Sequence, residues 1–316
     1  MRPPIYRNKP IDNINDLANA IGFRANIIIQ ISHNSEKYYV PNKSILKPNG
    51  KLRQTYRVKN PLKLIQYSLL HNIIDIVDFP NYLQGSIKDP GSPRDYIRDA
   101  GLHAGRDTII KEDISDFFHS VRANLVYLMW KDFFNFPSNL SQILTNLTTY
   151  QGFLPQGAAT SSAIANLIFW DREPKLEFEF RQEGFVYSRY VDNITISSIV
   201  FIEKDQIRSI ISRVYGMFFS VGLKPNRDER GIQSKNKGMT VHNLNINSGK
   251  PTLRKTVRAK IRAAVKELEN LRNSSDSEEE FNEKYAKVNG RVQLLARLHP
   301  HQAQQYLDRL EILRKT

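Results

Sequence analysis

Two aspartates far apart in the chain constrain its fold more than any other feature. Asp113 closes the run Ile109-Ile110-Lys111-Glu112-Asp113, and Asp192 follows Tyr187-Ser188-Arg189-Tyr190-Val191, with Asn193-Ile194-Thr195-Ile196 beyond it. The first run is too short for a helix and is followed by an acidic turn, so Thr108 to Asp113 is predicted as a strand. Val186 to Ser198 is predicted as a β-hairpin with Asp192-Asn193 at its tight turn. The two carboxylates lie 79 positions apart. Only a sheet that sets the first strand beside the hairpin can bring them together. Taken singly, each aspartate is better read as a strand-end or turn residue. Together they offer the hard oxygen ligands that divalent metals take in phosphoryl transfer.

Between them runs Leu154-Pro155-Gln156-Gly157-Ala158-Ala159-Thr160-Ser161-Ser162. A glycine there lets the backbone approach a nucleotide closely, and the Gln156 amide can contact sugar or base. Phe118 lies five residues after Asp113, where the chain turns into a helix. Its ring is either an ordinary core aromatic or a bulky wall against the 2′ position of a nucleotide.

The charge narrows the partners. The chain carries 46 basic against 32 acidic residues, a formal net charge of +14. That excess points to a polyanion, with nucleic acid ahead of anionic membrane. The absence of cysteine excludes disulfides, thiolate metal sites and a cysteine nucleophile, and fits a reducing cytosol. No run approaches the ~18 apolar residues of a membrane span. Met1-Arg2-Pro3-Pro4-Ile5-Tyr6 contains no signal-like apolar core. The expectation is a cytoplasmic protein with no membrane partner.

Helical spacing predicts a helix over residues 12 to 31. Lys47-Pro48-Asn49-Gly50-Lys51 is predicted as a turn between two strands, and Pro61 opens a helix carrying Leu62, Ile65, Leu69 and Ile73. Residues 85 to 95 are loop. Asp116 to Phe134 carries aromatics at helical spacing, a further helix starts near Thr160, and another spans 204 to 221 before Gly222. After Pro251 the chain turns basic, with Arg254, Lys255, Arg258, Lys260, Arg262, Lys266 and Arg272 on a helical pattern. Asn273 to Glu280 is a polar break, and Val288 to Leu313 is the last helical region. The usual reading of such a charge run is a solvated helix face. Strands alternating with helices before an all-helical tail predict an α+β body with a helical appendage. None of the seven histidines forms a metal-ligand pair at helical or zinc-finger spacing, and His299 and His301 flank Pro300 at a helix start.

With these pieces in order, Asp113-Ile114-Ser115-Asp116-Phe117-Phe118, Leu154-Pro155-Gln156-Gly157 and Tyr190-Val191-Asp192 resemble motifs A, B and C of reverse transcriptases. Lys51-Leu52-Arg53 resembles the basic fingers hairpin, and Gly222-Leu223-Lys224-Pro225-Asn226 the start of motif D. Within that superfamily the chain is most similar to retron enzymes. Asp99-Ala100-Gly101-Leu102-His103 resembles their Asn-Ala-x-x-His signature, and Val241-His242-Asn243-Leu244 stands where many carry Val-Thr-Gly-Leu.

The resemblance implies a right-hand polymerase: residues 1–105 as N-terminal region and fingers, 106–248 as palm with part of the fingers at about 135–155, and 249–316 as helical thumb. It implies two Mg²⁺ ions held by Asp113 and Asp192, with Asn193 as a weaker ligand. Lys51, Arg53, Phe118, Gln156 and Gly157 would meet the deoxynucleoside triphosphate. Arg254, Lys255, Arg258 and Arg262 would meet nucleic acid, and His103 would either meet it or be a satisfied structural histidine. The partners implied are a cognate structured non-coding RNA, its RNA–DNA product and an effector protein in antiphage defence. Two departures stand out. Asn193 replaces a second aspartate, so either a neighbouring carboxylate such as Asp116 or Glu112 helps or metal affinity is lower. Asp228-Glu229-Arg230 stands where a lysine that could protonate pyrophosphate is often found, so no general acid is assigned. The alternatives are another compact bacterial reverse transcriptase, of diversity-generating or abortive-infection type, and a catalytically weakened nucleic-acid-binding scaffold.

Overall fold

Thr108–Asp113 is a strand, and it lies antiparallel to Asn193–Ser198, with Asn193 opposite Asp113 and Ser198 opposite Thr108. Asn193–Ser198 pairs in turn with Val186–Tyr190 as a hairpin, Asn193 opposite Tyr190. Leu83–Gln84 joins the far side in parallel. In a computed structural model of the chain these strands form a five-stranded sheet completed by Gly231–Ser234 beside Thr108–Asp113. The model describes residues 1–42, 44–46, 52–89, 91–274 and 277–315. Both central strands are buried along nearly their whole length. A sheet covered on both faces takes apolar and small residues at successive positions rather than in alternation, which suits Thr108-Ile109-Ile110 and Ile194-Thr195-Ile196.

The chain divides into two compact units, residues 1–99 with 108–232 and residues 100–107 with 233–316. The first holds the sheet and is α+β. Helix Ser161–Leu167 buries Ala163, Ile164, Ala165 and Leu167. Helix Lys204–Phe219 buries Ile210, Val214, Met217 and Phe218. Phe169 and Phe218 meet with ring centroids 6.1 Å apart. Helix Leu62–Leu69 starts after Pro61 as predicted and continues as a wider π turn over Leu70–Ile74.

Three predicted elements of the first unit change in the structure. The helix over 12 to 31 is two, Ile14–Ile21 and Ala25–His33, because Gly22 adopts the left-handed conformation at φ 75° and ends the first. The aromatic stretch 116 to 134 is broken after Phe117–Ser120, where Val121 is extended, and resumes at Ala123–Leu128. The hairpin turn falls on Val191-Asp192 rather than Asp192-Asn193, since Asn193 already pairs with Tyr190. The turn expected at 47–51 lies outside the described residues, Lys51 included. The strands on either side of it, Ile45–Leu46 and Leu52–Arg53, pair antiparallel.

The second unit is mainly helical. Lys255–Ser274, Glu278–Leu298 and Pro300–Lys315 pack through Ile261, Val265 and Leu268, through Val288, Val292 and Leu295, and through Ala303, Tyr306 and Leu310. The predicted run from Val288 to Leu313 is thus split at His299, whose ring nitrogen accepts from the Leu253 backbone at 3.0 Å. A tight hairpin pairs Thr240–Val241 with Leu244–Asn245, and His242 and Asn243 both take positive φ at its tip. No helix among the described residues is long and apolar enough to cross a membrane.

Candidate active site

The strand pairing carries Asp113 and Asp192 into one place. The Ile114 N–H donates to the Asp192 carbonyl at 3.2 Å, so the backbones after motif A and within motif C are joined. Asp113 and Asp192 line a cavity of about 210 Å³ together with Asp116, Asn193 and Glu229. Arg53, Phe118 and Gln156 line the same cavity and also an adjoining one of about 400 Å³. Of the residues expected to surround a nucleotide, the structure therefore brings Arg53, Phe118 and Gln156 to the two aspartates.

Asp113 is buried at 7% exposure, and Asn226 holds it twice. The Asn226 side chain donates to Oδ2 at 2.9 Å, and its backbone N–H to the Asp113 carbonyl at 2.8 Å. Asn226 was not singled out as a site residue, although it sits in the segment that resembles motif D. Asp192 is half-buried, and burial pushes its pKa above the ordinary carboxylate value. The nearby Arg53 charge works against that rise and the Glu229 charge adds to it. The Asn193 amide nitrogen donates to Asp192 Oδ1 at 2.9 Å.

The two carboxylates considered as substitutes for the missing aspartate separate. Asp116 is exposed at a left-handed φ of 45° and lines the cavity. Glu112 does not. It alternates to the opposite face of the strand, where Tyr215 donates to its Oε2 at 3.0 Å and Arg230 Nε lies 3.1 Å from its Oε1. Burial raises the Glu112 pKa, with Tyr215 and Arg230 opposing. Glu229, in the turn before Arg230, lines the cavity instead.

Phe117 and Phe118 divide their labour. Phe117 is 2% exposed in the core and borders only the smaller cavity, while Phe118 is half-buried and lines both. His119 also lines the larger cavity, its ring 4.1 Å from Phe153; nothing in its spacing marked it. Gly157 is also required by the packing around it. At φ 108° it packs under the Tyr56 backbone, and a Cβ there would lie 2.5 Å from the Tyr56 carbonyl. The Tyr56 N–H donates to the Gln156 carbonyl at 2.8 Å. Gly157 thus fastens the strand after Arg53 onto the Gln156 loop.

In the helical unit, His103 is fully buried. Its burial favours the structural histidine of the two readings. Arg258 is half-buried and donates to Gln302 at 3.0 Å, whereas Arg254, Lys255 and Arg262 are exposed.

Among the described residues no group of three or more His, Cys, Asp or Glu side chains is gathered closely enough to hold a metal. Magnesium does not demand one. It commonly takes one or two carboxylates and completes its shell with water and substrate phosphates. Two aspartates on one cavity fit that pattern, and a carboxylate whose pKa is raised by burial is one that a cation would relieve.

No family model matches the chain. Curated relatives do. It is 30% identical to the retron Se72 reverse transcriptase of Salmonella heidelberg over 306 residues, covering 96% of this chain and 80% of that protein. It is 27% identical to the retron Ec48 reverse transcriptase of Escherichia coli, covering 99% and 79%. The retron Ec86 reverse transcriptase of Escherichia coli is 25% identical over 79% of this chain and 78% of its own length. Apo telomerase from Candida tropicalis, truncated from the C-terminal domain, superposes with a TM-score of 0.41 at 12% identity over 73% of this chain and 61% of that one, too distantly to bear on the reaction. The full-length similarity to the first of these relatives shows that the chain belongs to the retron reverse transcriptases, a family of RNA-directed DNA polymerases.

Proposed function

We propose that this enzyme copies a cognate structured non-coding RNA into a small single-stranded DNA that stays linked to that RNA, at a site built on Asp113 and Asp192. The observation that carries the reading is the shared cavity of those two aspartates, bordered by Gln156, Phe118 and Arg53. In this reading 1–105 forms the N-terminal region and fingers, 106–248 the palm with part of the fingers at about 135–155, and 249–316 the thumb.

The reaction joins a hydroxyl oxygen, the RNA's 2′-hydroxyl in the first step and the growing DNA's 3′-hydroxyl afterwards, to the α-phosphorus of a deoxynucleoside triphosphate, and the hydroxyl proton passes to water. The α–β anhydride bond breaks and pyrophosphate leaves. Two magnesium ions, when bound, would acidify the attacking hydroxyl and neutralise charge on the phosphates. Asp113 and Asp192 would hold them, with Asn193 a weaker participant. Arg53 meets the triphosphate as a cation, joined by Lys51 from outside the described residues. Gln156 contacts sugar or base, and the Phe118 ring excludes a ribose 2′-hydroxyl. Exposed Arg254, Lys255 and Arg262 contact phosphates of the RNA and its RNA–DNA product without reading sequence. The setting is the cytoplasm and antiphage defence with an effector protein.

Purifying the protein from a host that carries its neighbouring non-coding RNA, and extracting the bound nucleic acid, tests this. The expected product is an RNA joined to DNA of one defined length. Its DNA part should survive ribonuclease and disappear with deoxyribonuclease. Recovery of RNA alone from a protein active on added template would overturn the retron-specific part of the reading.

A further inference from the structure

The turn that carries Asp192 holds a conformation its sequence disfavours. Val191 sits at φ 59°, a region β-branched residues avoid and one that persists only when the surroundings impose it. The group in contact with that peptide is Arg189, whose Nη1 donates to the Val191 carbonyl at 2.9 Å. The Arg189 side chain is 0% exposed and its partner Glu173 2%. Nε donates to Glu173 Oε1 at 2.7 Å and Nη2 to Oε2 at 2.7 Å. Nη2 also donates to the Asn166 carbonyl at 3.0 Å, on the helix that follows Gln156. Tyr187 donates to Glu173 Oε1 at 2.6 Å.

A buried ion pair of this kind is costly to desolvate and often no more stabilising than apolar residues of equal volume. What it does provide is direction. The planar guanidinium, gripped on one edge by a carboxylate, presents its remaining N–H groups at fixed angles.

We propose that Arg189, held by Glu173, is the positioning residue for Asp192: it locks the Val191 carbonyl and thereby keeps the left-handed turn that sets Asp192 on the cavity it shares with Asp113. This rests on the reading of Asp192 as a metal-holding carboxylate. Lysine at 189 would keep the charge but cannot grip Glu173, Asn166 and Val191 together. Glycine at 191 would take positive φ without steric cost and would not need the lock.

The test is a double-mutant cycle on the metal-free protein, reading Mn²⁺ binding by electron paramagnetic resonance beside single-turnover primer extension. Arg189→Lys is expected to weaken Mn²⁺ binding roughly tenfold, the cost usual when a residue orienting a metal ligand is lost. Adding Val191→Gly is expected to recover most of that loss. An equal loss in both backgrounds overturns the proposal, as does unchanged binding in Arg189→Lys. Should Arg189→Lys fail to fold, Tyr187→Phe loosens Glu173 alone and runs the same cycle at smaller amplitude, with additivity again overturning it. Asp192→Asn separates the two levels. If it abolishes binding and extension while the cycle is additive, only the role of Arg189 falls. If it binds and extends normally, the reading of Asp192 falls with it.

Discussion

Asn193 donates its side-chain amide to Asp192 Oδ1 at 2.9 Å. The residue that replaces a second carboxylate therefore serves the first one as a hydrogen-bond donor. Asn193→Asp removes that donor and adds a charge beside Asp113 and Asp192, the pair proposed to hold metal. The expected result is a several-fold lower Mg²⁺ concentration for half-maximal synthesis, together with lower stability without metal, because like charges repel. A Mg²⁺ titration of primer extension at matched salt checks this; superimposable curves would confine Asn193 to its hydrogen bond.

Asp192 also sets a pH dependence. Burial raises its pKa in the folded chain. A carboxyl raised on folding costs nothing while protonated, below the ordinary carboxylate pKa of about 4. The cost sets in as pH rises through the window up to its raised value and is fully present above that. Asp192→Asn, which cannot ionise, is therefore expected to melt higher than the wild type at neutral pH without metal. The difference should fade on acidification. Paired melting curves across pH measure it, and a lower Tm for the variant at neutral pH would contradict it.

Phe118 is half-buried and lines both cavities, whereas Phe117 is buried in the core and borders only the smaller one. Phe118→Ala is expected to raise ribonucleotide relative to deoxyribonucleotide incorporation by roughly tenfold or more. Phe117→Ala should instead cost about 3–5 kcal/mol of stability and leave that ratio unchanged. Competition between the two nucleotide classes, with melting curves alongside, distinguishes the roles. An unchanged ratio in a folded, active Phe118→Ala would return its ring to the core.

On the basic helix, Arg258 is engaged with Gln302 while Lys255 and Arg262 are exposed. Replacing Lys255 and Arg262 together by glutamine should reduce the slope of log affinity for RNA against log salt by roughly 1–2, without altering sequence preference. Arg258→Gln should change the slope less and the melting temperature more. Equal slopes in all three proteins would leave this helix a solvated face.

The strand at Thr108–Asp113, the hairpin beside it and the cavity residues Asp113, Asp192, Phe118, Gln156 and Arg53 were legible because short apolar runs, turn chemistry and local motifs encode them, while Asn226 and His119 were not. What escaped depends on partners distant in sequence. The turn was placed one residue late because Asp-Asn is good turn chemistry and valine is not; Arg189 overrides that preference from inside the fold. Glu173 bears no helical or strand spacing to Arg189. Gly157 answers to Tyr56, about a hundred residues earlier. His103 looked like a contact residue because a motif names it, and no local pattern reveals that its surroundings bury it completely. The helix break at Gly22 was marked in the sequence by a glycine within an otherwise periodic run.

Primer extension on an RNA template, with Mg²⁺ and deoxynucleotides, by the wild type, Asp113→Ala and Asp192→Ala measures the role of the aspartate pair most directly. Ligands of this kind stabilise charge in the transition state rather than the fold. Each variant is therefore expected to fold and bind RNA as the wild type does, and to fall below a few per cent of its synthesis. Synthesis well above that level in either folded variant would contradict a polymerase site built on Asp113 and Asp192.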